Sequence, residues 1–143
     1  TPRCALHLAQ AVKALSVMPS PLSMALTTQW IEDGTADAIR RFIRAETAAR
    51  QQIAAEALAG FSFAAAPHAF NLWLTLPEGV TRADVAIRMA RRPLGLMPAD
   101  AFTVLGAPEE KMRVCLGGSL PRERLPETLR HLSNALSTQM FMG

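Results

Sequence analysis

The stretch Met112–Gly118, MRVCLGG, places one permanent charge, Arg113, inside an apolar run that predicts a β-strand ending on two glycines. A guanidinium keeps its proton and is rarely buried without a partner. Strand alternation puts Arg113 and Cys115 on one face, and the bulkier apolar residues on the face that should meet helices. The planar donor fork of arginine fits a carboxylate. Two interpretations stay open: Arg113 pairs with an acid of this domain, or it binds an anionic ligand.

A second run, Phe70 to Leu76, shows the same two-residue period and predicts another strand. The side chains that should share its core face are Phe70, Leu72, Leu74 and Leu76. Trp73 lies on the opposite face. A turn is expected at Pro77-Glu78-Gly79, because proline and glycine interrupt the alternation there.

Thr81 and Asp84 then form a capping-box pattern that opens a short helix to about Arg92. Further short strands are predicted at Leu94 to Met97 and Phe102 to Val104. Pro121 leads into a last helix with an apolar stripe at helical spacing, formed by Leu125, Leu129, Leu132 and Leu136.

The N-terminal part of the chain predicts three helices. The first runs from Ala5 to Val17, and the second follows Ser20 as N-cap, with Pro21 in its first turn, and ends near Gly34. Thr35 is expected to cap a third, long helix to about Ala59, with Gly60 as its terminator.

From residue 35 onward the element order is helix, strand, helix, two or three strands, helix. That order favours the α/β (α+β) class: a two-layer domain with a small, mostly antiparallel sheet and helices on one face, preceded by two extra helices. We therefore predict a helical segment over residues 1–34 and a compact domain over residues 35–143.

Composition limits the possible functions. The 143 residues are 50% hydrophobic with a net charge of +3, which disfavours disorder. Two arginine clusters, Arg40/Arg41/Arg44 and Arg88/Arg91/Arg92, fit solvated helix faces or, less readily, nucleic-acid binding.

The cysteines show no disulfide framework, which is typical of a reducing cytoplasm, and the cysteines and histidines show no metal-ligand spacing. The uncharged stretch from Ala57 to Leu76 is too interrupted to predict a membrane span.

Three motifs carry a resemblance to a known family. They are Pro67–Pro77 (PHAFNLWLTLP), Met97–Phe102 (MPADAF) and Met112–Gly118 (MRVCLGG), followed by the leucine-striped helix. In this order the chain resembles the C-terminal part of a fold-type I, pyridoxal-phosphate-dependent aminotransferase. More narrowly, it is similar to the aminotransferase-like domain of MocR-type regulators in the GntR superfamily. The resemblance implies an aminotransferase small domain over residues 35–143, with residues 1–34 at the junction with a large domain that this chain does not contain.

The resemblance also implies site residues. The arginine of the third motif binds the α-carboxylate of an amino-acid ligand in this family, and here that residue is Arg113. Phe102, in the second motif, is expected to line the same site or to be a core aromatic. Ala99 stands where many relatives have glycine.

The family's cofactor groups are a Schiff-base lysine, a phosphate loop and an aspartate at the pyridine nitrogen. All lie upstream of residue 1 in the family's order, and Lys13 and Lys111 match none of them. We expect pyridoxal phosphate in a full-length parent, none covalently bound here, no metal, and no catalytic activity from this chain alone.

Two interpretations of the parent follow. One is a cytoplasmic transcriptional regulator that senses pyridoxal phosphate or an amino acid and binds DNA through a further N-terminal domain. The other is an aminotransferase that moves an amino group between an amino acid and a 2-oxo acid. A cofactor-free binding module is the third class. The apolar faces of the first two helices are expected to fold back onto the small domain or to pair with a second copy in a homodimer.

Overall fold

A computed structural model describes residues 2–15 and 20–137 of the chain. These residues form two compact units, one up to Phe42 and one from Ile43 onward. The helices are α1 (Pro2–Leu15), α2 (Pro21–Glu32), α3 (Thr35–Ala57), α4 (Arg82–Met89) and α5 (Leu125–Ser137). The strands are β1 (Phe63–Ala64), β2 (Asn71–Thr75), β3 (Gly95–Pro98) and β4 (Lys111–Cys115).

The first unit contains α1, α2 and the start of α3. Ser20 is the N-cap residue of α2 and Pro21 its first residue, as predicted, although the Ser20 side chain makes no capping hydrogen bond. None of the residues of α2 is buried. The predicted end of the first helix near residue 17 lies outside the described residues.

The junction between α2 and α3 corrects one prediction. Thr35 is the first residue of α3 instead of its cap, because the carbonyl oxygen of Gly34 already accepts the N–H of Ala38, at 3.0 Å. The backbone N–H of Thr35 donates to Asp33 Oδ1 at 2.9 Å. Hydrogen bonds from Thr35, mainly from its backbone N–H, lower the pKa of Asp33. Gly34 makes the turn with a φ of +81°, a conformation that a residue with a Cβ rarely adopts. At its other end α3 stops at Ala57, before the predicted residue 59, and Gly60 does not have a positive φ.

The second unit is a two-layer domain. Its four-stranded sheet has the order β1-β2-β4-β3, and every neighbouring pair is antiparallel. Side chains from α3, α4 and α5 form one core with one face of the sheet, and its fully buried members include Leu58, Val85, Leu72, Val114 and Leu129. This arrangement confirms the predicted fold class, with helices on one face of a small antiparallel sheet.

Alternation determines which strand residues are buried. Leu72 and Leu74 in β2 and Met112 and Val114 in β4 are buried, while the residues between them are half-buried. Phe70 departs from the prediction and is 47% exposed. It precedes β2, and its carbonyl oxygen accepts the N–H of Leu116 at 2.7 Å.

Two elements differ from the sequence-based prediction. The predicted strand at residues 102–104 is wrong, because Ala99–Phe102 forms a 3-10 helix. Both the N–H and the hydroxyl of Thr103 donate to the carbonyl oxygen of Ala99, at 3.1 and 2.9 Å, which closes this turn. Strand β1 was not predicted, since two residues are too few to show a period.

The remaining local predictions agree with the structure except at two boundaries: α4 ends at Met89, before the predicted Arg92, and β3 covers Gly95–Pro98 instead of Leu94–Met97. The capping box of α4 is present, with Thr81 at the N-cap and Asp84 at N3. All four leucines of the predicted stripe in α5 are buried, namely Leu125, Leu129, Leu132 and Leu136. In residues 2–15 and 20–137, no helix has both the length and the apolar character needed for a membrane crossing.

Candidate carboxylate-binding site

Arg113 lies at the centre of the sheet face opposite the helices. Strand β4 is flanked by β2 on one side and β3 on the other. In the register of the two ladders, Trp73 of β2 and Met97 of β3 are the direct partners of Arg113. Directly opposed residues of neighbouring strands project their side chains from the same face and are close enough to interact. Trp73, Arg113 and Met97 therefore form a row across this face.

Phe102 joins the row from outside the sheet. It is the last residue of the 3-10 helix that follows β3, and its side chain is 44% exposed. The guanidinium carbon Cζ of Arg113 lies 5.0 Å from the centroid of the Phe102 ring, within range of a cation–π interaction. The rings of Trp73 and Phe102 meet edge to face, with centroids 5.3 Å apart and an interplanar angle of 77°. One aromatic ring thus contacts the cation and the second contacts the first ring.

The hydrogen-bonding potential of Arg113 is largely unused. Its Nη2 contacts the sulfur of Met97 at 3.9 Å, and a thioether is a weak acceptor. Its Nε is buried and has no hydrogen-bond partner. Among the described residues, no carboxylate forms an ion pair with Arg113. The geometry therefore leaves the terminal edge of a cation without a strong acceptor on an open sheet face.

The acid nearest to Phe102 in sequence is engaged elsewhere. Asp100, in the 3-10 helix, forms an ion pair with Arg82 at the start of α4. Arg82 also binds Glu110, whose Oε2 accepts from the backbone N–H at 2.8 Å and from Nε at 3.2 Å. These bonds attach the 3-10 helix to α4 and to the segment before β4. Asp100 thereby helps to place Phe102 without neutralising Arg113.

Helix α3 holds the two central strands at the end near residues 71 and 115. Arg50 Nη1 donates to the carbonyl oxygens of Leu116 and Leu120, at 2.7 and 3.0 Å, and Arg50 Nε donates to Glu46 at 2.7 Å. Gln51 Nε2 donates to the carbonyl oxygens of Ala69, at 2.8 Å, and of Asn71, at 3.2 Å. Both segments that adjoin the Arg113 row are therefore anchored by side chains of one helix.

Several of the other charged residues considered from sequence have polar partners of their own. Lys111, on the same strand as Arg113, forms an ion pair with Glu109, and Lys13 lies in α1 of the first unit. Arg40 and Arg41 both pair with Asp37. Arg88 Nη1 donates to the carbonyl oxygen of Ala135 at 2.6 Å, near the end of α5. Within the described ranges, no three potential ligands of the His, Cys, Asp and Glu types come together as a metal site.

Sequence reasoning selected Arg113 and Phe102, and the structure brings these two side chains together. The sequence-based prediction gave Trp73 no definite role and did not single out Met97. The available signal for Trp73 was its place on the strand face opposite the core. For Met97 the signal was its position at the start of the motif that contains Phe102. Neither signal indicates which strand lies next to which, so the row itself could not be read from the sequence.

The fold has been seen before in an enzyme. The chain aligns over its whole length with the crystal structure of LysN, the α-aminoadipate aminotransferase of Thermus thermophilus, complexed with N-(5'-phosphopyridoxyl)-L-leucine. The TM-score is 0.76 at 21% sequence identity, and the match covers 38% of the LysN chain. No protein-family model matches the chain, and no curated protein sequence matches it. The chain thus has an aminotransferase-like fold and spans well under half the length of this solved relative.

Proposed function

We propose that this chain is the carboxylate-binding part of a larger aminotransferase-like protein, and that Arg113 binds the α-carboxylate of an amino acid or a 2-oxo acid. The observation that carries the proposal is the guanidinium itself. It lies on an open sheet face, is contacted by Phe102 and Met97, and has no carboxylate partner among the described residues. A planar fork of N–H donors in this setting is complementary to a carboxylate.

The chain's own residues do not fit a complete pyridoxal phosphate site. Lys111 is the one lysine of the second unit and is paired with Glu109, so that unit brings no unpaired lysine to Arg113 for a bond with the cofactor. We propose that the parent protein holds pyridoxal phosphate through residues outside this chain. The role assigned to the chain is therefore restricted to binding and orienting the ligand's carboxylate.

For the parent we propose a transcriptional regulator of the GntR superfamily, of the MocR type, located in the cytoplasm. The support is the order and the residue identities of the three motifs at Pro67–Pro77, Met97–Phe102 and Met112–Gly118. In this proposal, the ligand's carboxylate engages Arg113 and favours one arrangement of the aminotransferase-like domain over another. A further, N-terminal domain would transmit that difference to DNA, and this chain would not touch DNA itself.

The alternative parent is an aminotransferase, and the specific observation that favours it is the likeness to LysN, whose structure holds a phosphopyridoxyl-leucine adduct. There, Arg113 would orient an amino acid for the reaction. Transamination between an amino acid and a 2-oxo acid by the full-length protein would support this alternative. Ligand-dependent DNA binding without turnover would support the regulator.

The decisive experiment uses the full-length protein with its cofactor, which should absorb in the near-ultraviolet or visible range. We expect the Arg113→Ala variant to keep this absorbance band and to lose the spectral response to added amino acid. The matched control is Arg91→Ala, which removes an exposed arginine of the loop after α4. If Arg113→Ala responds to amino acids as the wild type does, Arg113 is not the carboxylate ligand.

We also propose that the parent acts as a homodimer. The support is α2, which carries Leu22, Met24 and Ile31 and has no buried residue. Exposed apolar side chains of this number are usually covered by another chain or domain. Analytical ultracentrifugation of the full-length protein tests the proposal, and a monomer at micromolar concentration would contradict it.

A further inference from the structure

We infer that Phe102 is a positioning residue for Arg113: its ring face holds the guanidinium so that the terminal Nη edge is presented to a carboxylate. The inference rests on the proposed function of Arg113 and assigns a role to a second residue of that site. It concerns the orientation of the cation, a property that can be measured with or without a ligand.

The first step is that strong polar contacts do not orient the cation. The hydrogen bond recorded for its guanidinium goes to the Met97 sulfur, at 3.9 Å, and no ion pair holds it among the described residues. Arg50 shows what an arginine oriented by polar partners looks like in this chain, since it donates to two carbonyl oxygens and a carboxylate. For Arg113, the guanidinium lies over the Phe102 ring, with Cζ 5.0 Å from the ring centroid.

The second step concerns which edge a ligand can reach. Because Nε is buried and without a partner, a carboxylate arriving from solvent meets the Nη atoms. The sulfur on Nη2 is a weak acceptor that a charged oxygen can replace. The Phe102 ring therefore lies against the Arg113 guanidinium, whose solvent-accessible donors are the Nη atoms.

The third step is that Phe102 itself is held in place. Its ring is supported edge to face by Trp73, at 5.3 Å between centroids. The 3-10 helix that carries it is closed by Thr103 and tied to α4 through the Asp100–Arg82 ion pair. At 44% exposure, Phe102 does not belong to the buried core, so its position is not explained by core packing.

The test compares Phe102→Leu, which keeps apolar bulk but removes the aromatic face, with Phe102→Tyr, which keeps the face. Phe42→Leu, an exposed phenylalanine of the first unit, serves as control. The probes are L-leucine and L-leucinamide, which lacks the carboxylate. Binding to this 143-residue chain is followed by NMR through the Arg113 Nε–H signal. The motion of that N–H is also measured without ligand.

We expect L-leucine, and not L-leucinamide, to shift the Arg113 signal in the wild type, in Phe102→Tyr and in Phe42→Leu. In Phe102→Leu, the Kd for L-leucine should rise about three- to fivefold, the change that corresponds to loss of a part-exposed cation–π contact. The Nε–H should also become more mobile in Phe102→Leu alone.

The outcomes separate the two proposals. If L-leucine does not shift the Arg113 Nε–H signal of the wild type, the proposed function of Arg113 fails. An increase in Nε–H motion in Phe102→Leu would still support the positioning role. If the wild type binds L-leucine and Phe102→Leu binds it equally well with unchanged motion, the positioning role is wrong. Loss of folding in Phe102→Leu, seen by circular dichroism, would also overturn it, because Phe102 would then be a structural residue.

Discussion

Arg50 of α3 donates a hydrogen bond from Nη1 to the carbonyl oxygen of Leu116 at 2.7 Å, just beyond the strand that carries Arg113. The two arginines come from opposite sides of the sheet and have opposite surroundings. Arg50 is surrounded by acceptors, and Arg113 contacts a ring and a sulfur. This difference predicts that the first arginine supports the fold and that the second is available to a ligand.

Replacing Arg50 by Met should destabilise the second unit. The change leaves the carbonyl oxygens of Leu116 and Leu120 without their donor and removes an ion pair from Glu46. We expect the free energy of unfolding to fall by about 1.5–3 kcal/mol, the range for hydrogen bonds to a charged group. Urea denaturation followed by circular dichroism measures it. Arg91→Met, at an exposed position, should change the stability by less than about 0.5 kcal/mol.

Replacing Arg113 by Met should leave the fold intact. The variant loses a cation–π contact worth about 0.5–1 kcal/mol. It also removes the buried Nε that has no partner, a group whose burial costs about 1–3 kcal/mol. Because the two effects oppose each other, the unfolding free energy should stay within about 1 kcal/mol of wild type or rise slightly. A loss of several kcal/mol in the same urea experiment would instead identify a structural ion pair.

The capping box of α4 predicts a dependence of stability on acid. The hydroxyl of Thr81 donates to Asp84 Oδ2 at 2.6 Å and the Thr81 backbone N–H at 3.2 Å, and these bonds lower the pKa of Asp84 below 3.8 in the folded state. A carboxyl with a depressed folded pKa stabilises fully above its unfolded pKa of about 3.9, and this contribution is lost as the pH falls through the folded value.

The wild type should therefore lose its stability advantage over Asp84→Asn as the pH is lowered from 5 towards 2. Urea midpoints of both proteins across this range provide the measurement. At pH 7, Thr81→Ala should cost about 1 kcal/mol, because it removes the side-chain acceptor of the cap. A difference between wild type and Asp84→Asn that does not change with pH would contradict the coupling.

Two glycines beside β4 should respond differently to alanine. A Cβ at Gly95 would lie 3.0 Å from the Cβ of Cys115, an atom that moves only with its backbone. Gly95→Ala should therefore cost about 1–3 kcal/mol, as overpacking does, and Cys115→Gly in the same chain should restore part of it. A Cβ at Gly117 would lie 3.0 Å from the ring of Phe70, which can rotate away. Gly117→Ala should be nearly neutral, and equal costs for the two variants would refute this distinction.

Most of the second unit could be predicted because its signals are local. The two-residue period of Leu72 and Leu74 identifies a half-buried strand, and Thr81 with Asp84 identifies a helix start. The exceptions have distant causes. Residues 102–104 have strand-like composition, yet the ion pair of Asp100 with Arg82 and the bonds of Thr103 to Ala99 favour a turn. Phe70 fits the apolar period but lies before the first residue of β2.

Arg113 can be identified from sequence as a permanent charge on the strand face opposite the core, because side-chain chemistry and backbone alternation are properties of the local chain. The neighbours of Arg113 depend on the packing of distant segments of the chain. The register of β2 and β3 against β4 places Trp73 and Met97 beside the guanidinium, and the 3-10 helix brings Phe102 over it. Strand order depends on how the whole core packs, and no local period encodes it. Among the described residues no acid lies in that row of neighbours, and this observation supports the proposal that Arg113 binds a ligand.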